Sequence, residues 1–251
     1  MNGQVYNPYF IFWSHIINRL IWPFYFVCNL YKKSYSLKDE KINSILICQY
    51  HRIGDVFLIA PVLRSLKKRY PQAHIILLCC QGAEKLSRDL KFADEVIGVE
   101  VPWTNWDWSL IKWIKARSFA WHFRKRDIDI AIDFKGDLRN SWFLWHVRSK
   151  MSLGYTDTGG SFFYTHPQLF PTGVHQTERS LQLISHLGCD SIMLDGKEFN
   201  FKGQGAIVFH AGGTDLRRAW PENKWIKLAE ILSNNHQITI VKTPETAILI
   251  Q

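Results

Sequence analysis

From Ile42 onward, short apolar runs of strand length alternate with amphipathic helical segments, and this alternation restricts the fold more than any other feature. ILICQ (45–49), HIILLCC (74–80), EVIGVEV (95–101) and IDIAIDF (128–134) are the four runs in the first part of the chain. A strand that is apolar at successive positions has no face to give to water, so it belongs in a parallel sheet covered by helices on both sides. The expected fold is α/β, with one Rossmann-like unit over 42–202. A second unit is expected from about Gly203. GAIVFHAGG (205–213) reads as strand and glycine loop, Pro221 as a first helical position with Glu222 in the first turn, and QITIVK (237–242) as the next strand. A single β-α-β unit cannot cover both faces of a sheet, so the half over 203–251 is expected to be only begun. No internal repeat or low-complexity tract is visible.

Residues 1–41 stand apart as an aromatic, basic segment. The stretch YFIFWSHIINRLIWPFYFVCNLY (9–31) carries His15, Asn18 and Arg19 near its middle and Pro23 just beyond. A clean span needs about 20 largely apolar residues, and a secretory leader needs a basic start and a small-residue cleavage site that are absent here. Three readings stay open: a helix lying in a membrane interface, a true span, or a buried helix. Aromatics at both ends and Lys32-Lys33 at the exit favour the first. The 31 Lys+Arg against 22 Asp+Glu leave a net charge of +9, which suits an anionic partner (nucleic acid, a membrane surface, or a phosphorylated or carboxylated substrate) or simply keeps the chain soluble. The five cysteines show no metal-ligand spacing and mostly lie in apolar runs, as reduced core thiols of a cytosolic protein do.

Several motifs could carry chemistry. In IGDVFLIAPVLRSLKKRYP (53–71), Gly54 permits a tight turn and Asp55 falls where a strand's carboxyl end meets a helix, the edge at which open α/β sheets bind ligands. Asp55 there is either a general base or a helix cap. In HAGGTDLRRAWPENKW (210–225), the loop N–H groups of Gly212, Gly213 and Thr214 together with Arg217 and Arg218 suit a phosphate, although the arginines could equally be surface residues. DFKGDLRNS (133–141) and HQTER (175–179) add Arg139 and His175. Asp127-Ile128-Asp129 spells a D-x-D, but its alternation reads as the start of a strand, so no metal site is expected. WSLIKWIKARSFAWHFRKR (108–126) interleaves bases and aromatics as nucleic-acid or membrane-surface helices do, or as a plain packing helix does.

Taken in order, these motifs resemble glycosyltransferase family 9, the lipopolysaccharide heptosyltransferase-like enzymes, over about residues 42–251. The resemblance implies a GT-B arrangement of two Rossmann-like halves, the N-terminal one complete and the C-terminal one only begun. It implies inverting, metal-independent transfer of a heptose-like sugar from an ADP- or other nucleotide-activated donor to a lipopolysaccharide core or related glycan acceptor, with no cofactor. Asp55 takes the place of the family's base, and Gly212, Gly213, Thr214, Arg217 and Arg218 that of the donor-phosphate loop. Arg139 and His175 match acceptor-side positions. Before the motif the family usually has small or acidic residues, whereas this chain has His51 and Arg52, and Arg52 is assigned to the acceptor as well. The family's second donor signature, D-[ST]-G-x-x-H, does not occur, so the isolated chain is expected to be inactive. The implied location is cytoplasmic, peripheral to the inner face of the cytoplasmic membrane and in contact with anionic lipid, without nucleic acid. Two other readings are a catalytically dead remnant that still binds a membrane surface or anionic glycolipid, and a nucleic-acid-binding protein.

Overall fold

The computed structural model describes residues 8–29, 41–104, 109–192, 206–211 and 220–241. The chain divides into two compact units, Met1–Leu194 and Asp195–Gln251. In the first, helix α1 (Pro8–Asn29) precedes β1 (Ser44–Gln49), α2 (Ile53–Leu58), α3 (Ala60–Arg69), β2 (His74–Cys80), α4 (Gln81–Asp89), β3 (Glu95–Val99) and α5 (Leu110–Arg124). Then come β4 (Ile130–Asp133), α6 (Leu138–Val147), β5 (Met151–Tyr155), a 3-10 turn at Ser161–Phe163, β6 (His166–Gln168) and α7 (Gln176–Ser185). The six strands form one sheet in the order β3-β2-β1-β4-β5-β6. Every pair in it is parallel, as with Ile45↔Ile75 and Ile45↔Ile130.

Both faces of the sheet are covered, which is why its central strands are apolar at successive positions, as in Ile45 to Cys48 and Ile130 to Ile132. Ile45, Ile47, Ile130 and Ile132 face one way, against Val62 and Leu66 of α3, Ala83 of α4 and Leu183 and Ile184 of α7. Leu46, Cys48 and Ala131 face the other way, against Ala120 and Phe123 of α5 and Phe143 and Val147 of α6. A strand whose two faces are both dry gains about 25 cal/mol per Å² of apolar surface on each side; β1, β2 and β4 have this pattern, whereas β3 at the sheet's edge is half-buried at most positions.

Two details differ from the sequence reading. The helix after β1 is broken at Ile59, because Pro61 has no N–H to donate and its ring crowds the preceding turn. The sheet also has two further strands. β5 contains Gly154, where a Cβ would lie 2.5 Å from the ring of Tyr164, so the position must stay bare and the run looks weak as sequence.

Among the described residues, Cys48, Cys79, Cys80 and Cys189 are free thiols, Cys80 partly buried and the other three buried. Helix α1 is not the buried helix of one reading, since most of its described side chains are exposed. No helix among the described residues is long and apolar enough to cross a membrane.

The second unit shows β7 (Ala206–Phe209), α8 (Glu222–Ser233) and β8 (Gln237–Ile240), with β7 and β8 paired in parallel. Pro221 stands one position earlier than expected, as the N-cap of α8 with an extended ψ of 137°. Phe209 packs against Trp225, and no residue of α8 is buried.

Candidate active site

In the first unit, β1 lies at the centre, with β2 and β3 on one side and β4, β5 and β6 on the other. The crossovers therefore diverge between β1 and β4, and the crevice they open at the strands' carboxyl ends is where such sheets bind ligands. A cleft of about 580 Å³ lies there. Its walls come from the residues after β1 (Tyr50, His51, Arg52, Asp55), at the end of β2 and just after it (Cys80, Gln81), after β3 (Glu100, Trp103, Thr104) and after β4 (Lys135, Asp137, Arg139). Asp55, Arg52 and Arg139 are thus brought together. His175 is not among the lining residues. It is the exposed N-cap of α7, where its Nδ1 accepts the backbone N–H of Thr177 at 3.2 Å.

Asp55 is not a helix cap. The N-cap of α2 is Arg52, with extended backbone and no side-chain cap bond, and Asp55 stands three positions into the helix. Its backbone carbonyl accepts from Gln49 Nε2 at 3.2 Å, while its carboxylate faces the cleft opposite Lys135, with Nζ and Oδ2 3.6 Å apart. That is an ion-pair distance but longer than a hydrogen bond, so the lone pairs of the carboxylate remain open to a substrate hydroxyl. Gly54 is helical and takes no positive φ, so it makes no tight turn. Space lies open where its Cβ would be, and a ligand can approach the backbone there.

The loop after β4 supplies the opposite wall. Asp137 caps α6 by accepting the N–H of Arg139 at 2.9 Å, and it also takes the Arg139 guanidinium on both oxygens, at 2.9 and 2.5 Å. A forked pair of this kind fixes the guanidinium plane, so Arg139 borders the cleft as half of a neutral pair. Beneath, Asp133 is fully buried and accepts the N–H groups of Lys135 and Gly136 and the hydroxyl of Tyr164, at 2.9, 3.3 and 2.6 Å. Burial pushes its carboxyl up to about 6 even though these hydrogen bonds pull the other way. Tyr50 donates to the side-chain oxygen of Asn140, joining the β1 loop to α6. His51 is held down to about 4 by burial and then by the Lys135 charge, so its imidazole is neutral at pH 7, and its Nδ1 has no partner.

The D-x-D lies at the other end of the sheet. Asp129 accepts the N–H groups of Asn43 and Ser44 and pairs with Lys150 at 2.9 Å, ahead of the first residue of β4. Among the described residues, no three His, Cys, Asp or Glu side chains gather as metal ligands. The assigned donor-loop residues Gly212, Gly213, Thr214, Arg217 and Arg218 lie outside the described residues. Lys135 is what the sequence reading missed. It stands inside a noted motif, but its approach to Asp55 depends on β4 lying beside β1.

A doubly wound parallel domain with an uncapped carboxylate in the cleft at its switch point is the ligand-binding half of a Rossmann-like protein. The chain belongs to glycosyltransferase family 9 (heptosyltransferase), which matches residues 116–248, downstream of the Asp55 loop. It is 24% identical over 201 residues to lipopolysaccharide heptosyltransferase 1 of Pseudomonas aeruginosa, covering 74% of this chain and 57% of that protein. The chain thus spans little more than half the length of that curated relative. Among solved structures, E. coli heptosyltransferase WaaC with ADP-2-deoxy-2-fluoro heptose superposes with a TM-score of 0.66 at 19% identity, over 80% of this chain and 70% of that one. The glycosyltransferase family 9 protein of Veillonella parvula gives 0.65 at 16% identity, over 85% and 67%. At these identities the likeness is one of fold.

Proposed function

We propose that this chain supplies the acceptor-binding, base-bearing half of a glycosyltransferase that moves a heptose-like sugar from an ADP-activated donor to an anionic lipopolysaccharide core or related glycan. The observation that carries this reading is the Asp55 carboxylate, which faces the switch-point cleft uncapped and free of hydrogen bonds, with Lys135 3.6 Å away. The similar E. coli WaaC structure, which holds ADP-2-deoxy-2-fluoro heptose, supports the donor class. In the reaction, an acceptor hydroxyl gives its proton to Asp55 while its oxygen attacks the anomeric carbon from the face opposite the leaving group. The carbon–oxygen bond to the diphosphate breaks, its electron pair leaves with ADP, and configuration inverts. Loop N–H groups at Gly212, Gly213 and Thr214, with Arg217 and Arg218, meet the departing charge in place of a metal. Arg52 and the Lys135 ammonium face the acidic acceptor, and His175 stands at the start of α7 as an outer contact. The acceptor is lipid-linked, so the protein works peripheral to the inner face of the cytoplasmic membrane.

The test is Asp55→Asn in the full-length protein, with heptose transfer from ADP-heptose followed by mass spectrometry. Turnover should fall by about two orders of magnitude or more, the usual scale for losing a general base, with the unfolding midpoint little changed. Near-normal turnover would remove Asp55 from the mechanism.

A further inference from the structure

Helix α1 is held by its less apolar side. Ser14, Asn18, Ile21 and Tyr25, spaced four, three and four apart, form the packed face. Asn18 accepts the N–H of Gly160 at 2.6 Å, and the Tyr25 ring meets Trp145 and Phe163 edge-on at 4.9 and 4.6 Å. A second line on the same helix (Tyr9, Trp13, Ile17, Leu20, Phe24 and Val27) has equivalent spacing and is exposed throughout, Leu20 to 76%. An apolar stripe this long left bare on a seated helix calls for a covering partner.

The chemistry beside it selects that partner. Tyr25 packs on Trp145 of α6, and across α6 lies α5, with Leu110, Ile111 and Ile114 exposed. Between α5 and the end of α6, three guanidinium groups gather on tryptophan faces. Arg117 and Arg124 lie over Trp121 at 4.4 and 5.0 Å, and Arg148 lies over Trp145 at 4.2 Å. No described carboxylate pairs with any of the three. All three charges act on His146, which is 5% exposed, ringed by Trp142 and Trp145 at 4.6 and 4.8 Å, and has no partner for its Nδ1. Arg148 ends α6 with φ 60°, a left-handed position that glycine normally takes and that strains an ordinary side chain. A strained arginine completing a cluster of guanidinium groups without described carboxylate partners, around a buried imidazole whose Nδ1 has no partner, is the arrangement of an anion site.

We infer that Arg117, Arg124 and Arg148 bind the phosphate groups of anionic phospholipids while the exposed stripe of α1 and the exposed start of α5 enter the bilayer interface, so that α1, α6 and α5 form one membrane-docking surface. Tryptophan-stacked arginines are fixed in orientation and weakly hydrated, which suits a headgroup phosphate. Apolar side chains on a helix lying in the interface supply the rest of the binding. The inference needs no transferase activity and goes beyond the proposed peripheral location by naming the surface and the lipid chemistry it takes.

Flotation of the full chain with vesicles free of any glycolipid keeps the test separate from sugar transfer. Binding is expected to vesicles of phosphatidylcholine with phosphatidylglycerol, to weaken with added salt, and to be slight on phosphatidylcholine alone. Arg117→Gln with Arg148→Gln, which spares the 2.8 Å bond from Arg124 Nε to the His146 carbonyl, should weaken binding about 25-fold, at about fivefold per cation near an anionic surface. Leu20→Glu with Phe24→Glu should abolish flotation while the circular dichroism spectrum and unfolding midpoint stay put. Equal binding to both vesicle types, or an arginine pair variant that binds as the parent does, would overturn the phosphate site. Displacement by millimolar inorganic phosphate would reassign that site to a free anion. A chain that ignores vesicles but forms dimers which Leu20→Glu with Phe24→Glu dissociates would show that a second copy covers the stripe.

Discussion

Gly136 fixes the wall that carries Lys135 and Asp137, and its replacement can be compared with a control in the same chain. Gly136 and Gly173 share a φ of +73°, but a Cβ on Gly136 would meet the Tyr155 Cβ at 3.0 Å and the Tyr155 carbonyl oxygen at 3.2 Å, whereas a Cβ on Gly173 would meet nothing within 4 Å. Gly173→Ala therefore carries only the left-handed backbone penalty, about 1–2 kcal/mol. Gly136→Ala carries that and a steric term. Its neighbours are backbone and a Cβ of β5, which cannot swing aside as a long side chain does, so about 1–3 kcal/mol is added, as for an overpacked core. Urea unfolding of the two variants, with equal slopes checked, should give a difference of at least about 1 kcal/mol in the order Gly136→Ala below Gly173→Ala. Acceptor binding should suffer only in the former, because the displaced loop carries the cleft wall. Equal destabilisation would refute the close approach to Tyr155 and with it the view that β5 sets the position of the site.

Three more outcomes are open to measurement. Lys135→Gln removes the counter-charge of Asp55 and should lower transfer by about tenfold, equivalent to about 1.4 kcal/mol of barrier, without a large change in stability; unchanged turnover would make the pair incidental. Burial, reinforced by the arginine charges, holds His146 down to about 4 against 6.5 when unfolded, so its stabilising contribution is present above pH 6.5 and is lost as pH falls through the folded value. His146→Leu should therefore flatten the loss of unfolding midpoint on acidification; the same slope as the parent would contradict this. Asp133 has the opposite sign. Its folded carboxyl is raised from 3.8 to about 6, so ionisation costs stability as pH rises across that window, and the damage done by Asp133→Asn should shrink between those two values. A constant difference between parent and variant would show that Asp133 does not titrate there.

What the sequence disclosed follows from what each element needed. β1, β2 and β4 had to be apolar on both faces, and that requirement is written into Ile45 to Cys48 and Ile130 to Ile132. β5 is an inner strand interrupted by Ser152 and Gly154, and β6 is a three-residue edge strand. Their place is secured by Tyr164 packed over Gly154 and by the hydrogen bond from the Ser152 N–H to Thr165 Oγ1, contacts with no periodic signature. The N-terminal segment disclosed its helix but not its orientation. The seated face of α1 is the less apolar one, so periodicity points to the opposite side, and the choice rests on Asn18 meeting the N–H of Gly160.

The four aspartates about β1 and β4 mark the limit of legibility in the site. Asp55, Asp129, Asp133 and Asp137 are alike as residues, and two stand in motifs that invite a catalytic reading. Their partners separate them. Asp129 is taken up by two backbone N–H groups and Lys150 at the amino end of β4, away from the cleft. Asp133 is buried among three donors and shapes the loop above it. Asp137 gives both oxygens to Arg139 and one to the start of α6. A carboxylate so engaged must break existing hydrogen bonds before it can take a proton, at about 1–3 kcal/mol for each one to a charged donor. Asp55 alone of the four has a cationic neighbour beyond hydrogen-bond range and an open side to the cleft. Its proposed role as the base rests on what does not bind it, and an unmade contact between distant segments cannot be read from the residues IGD.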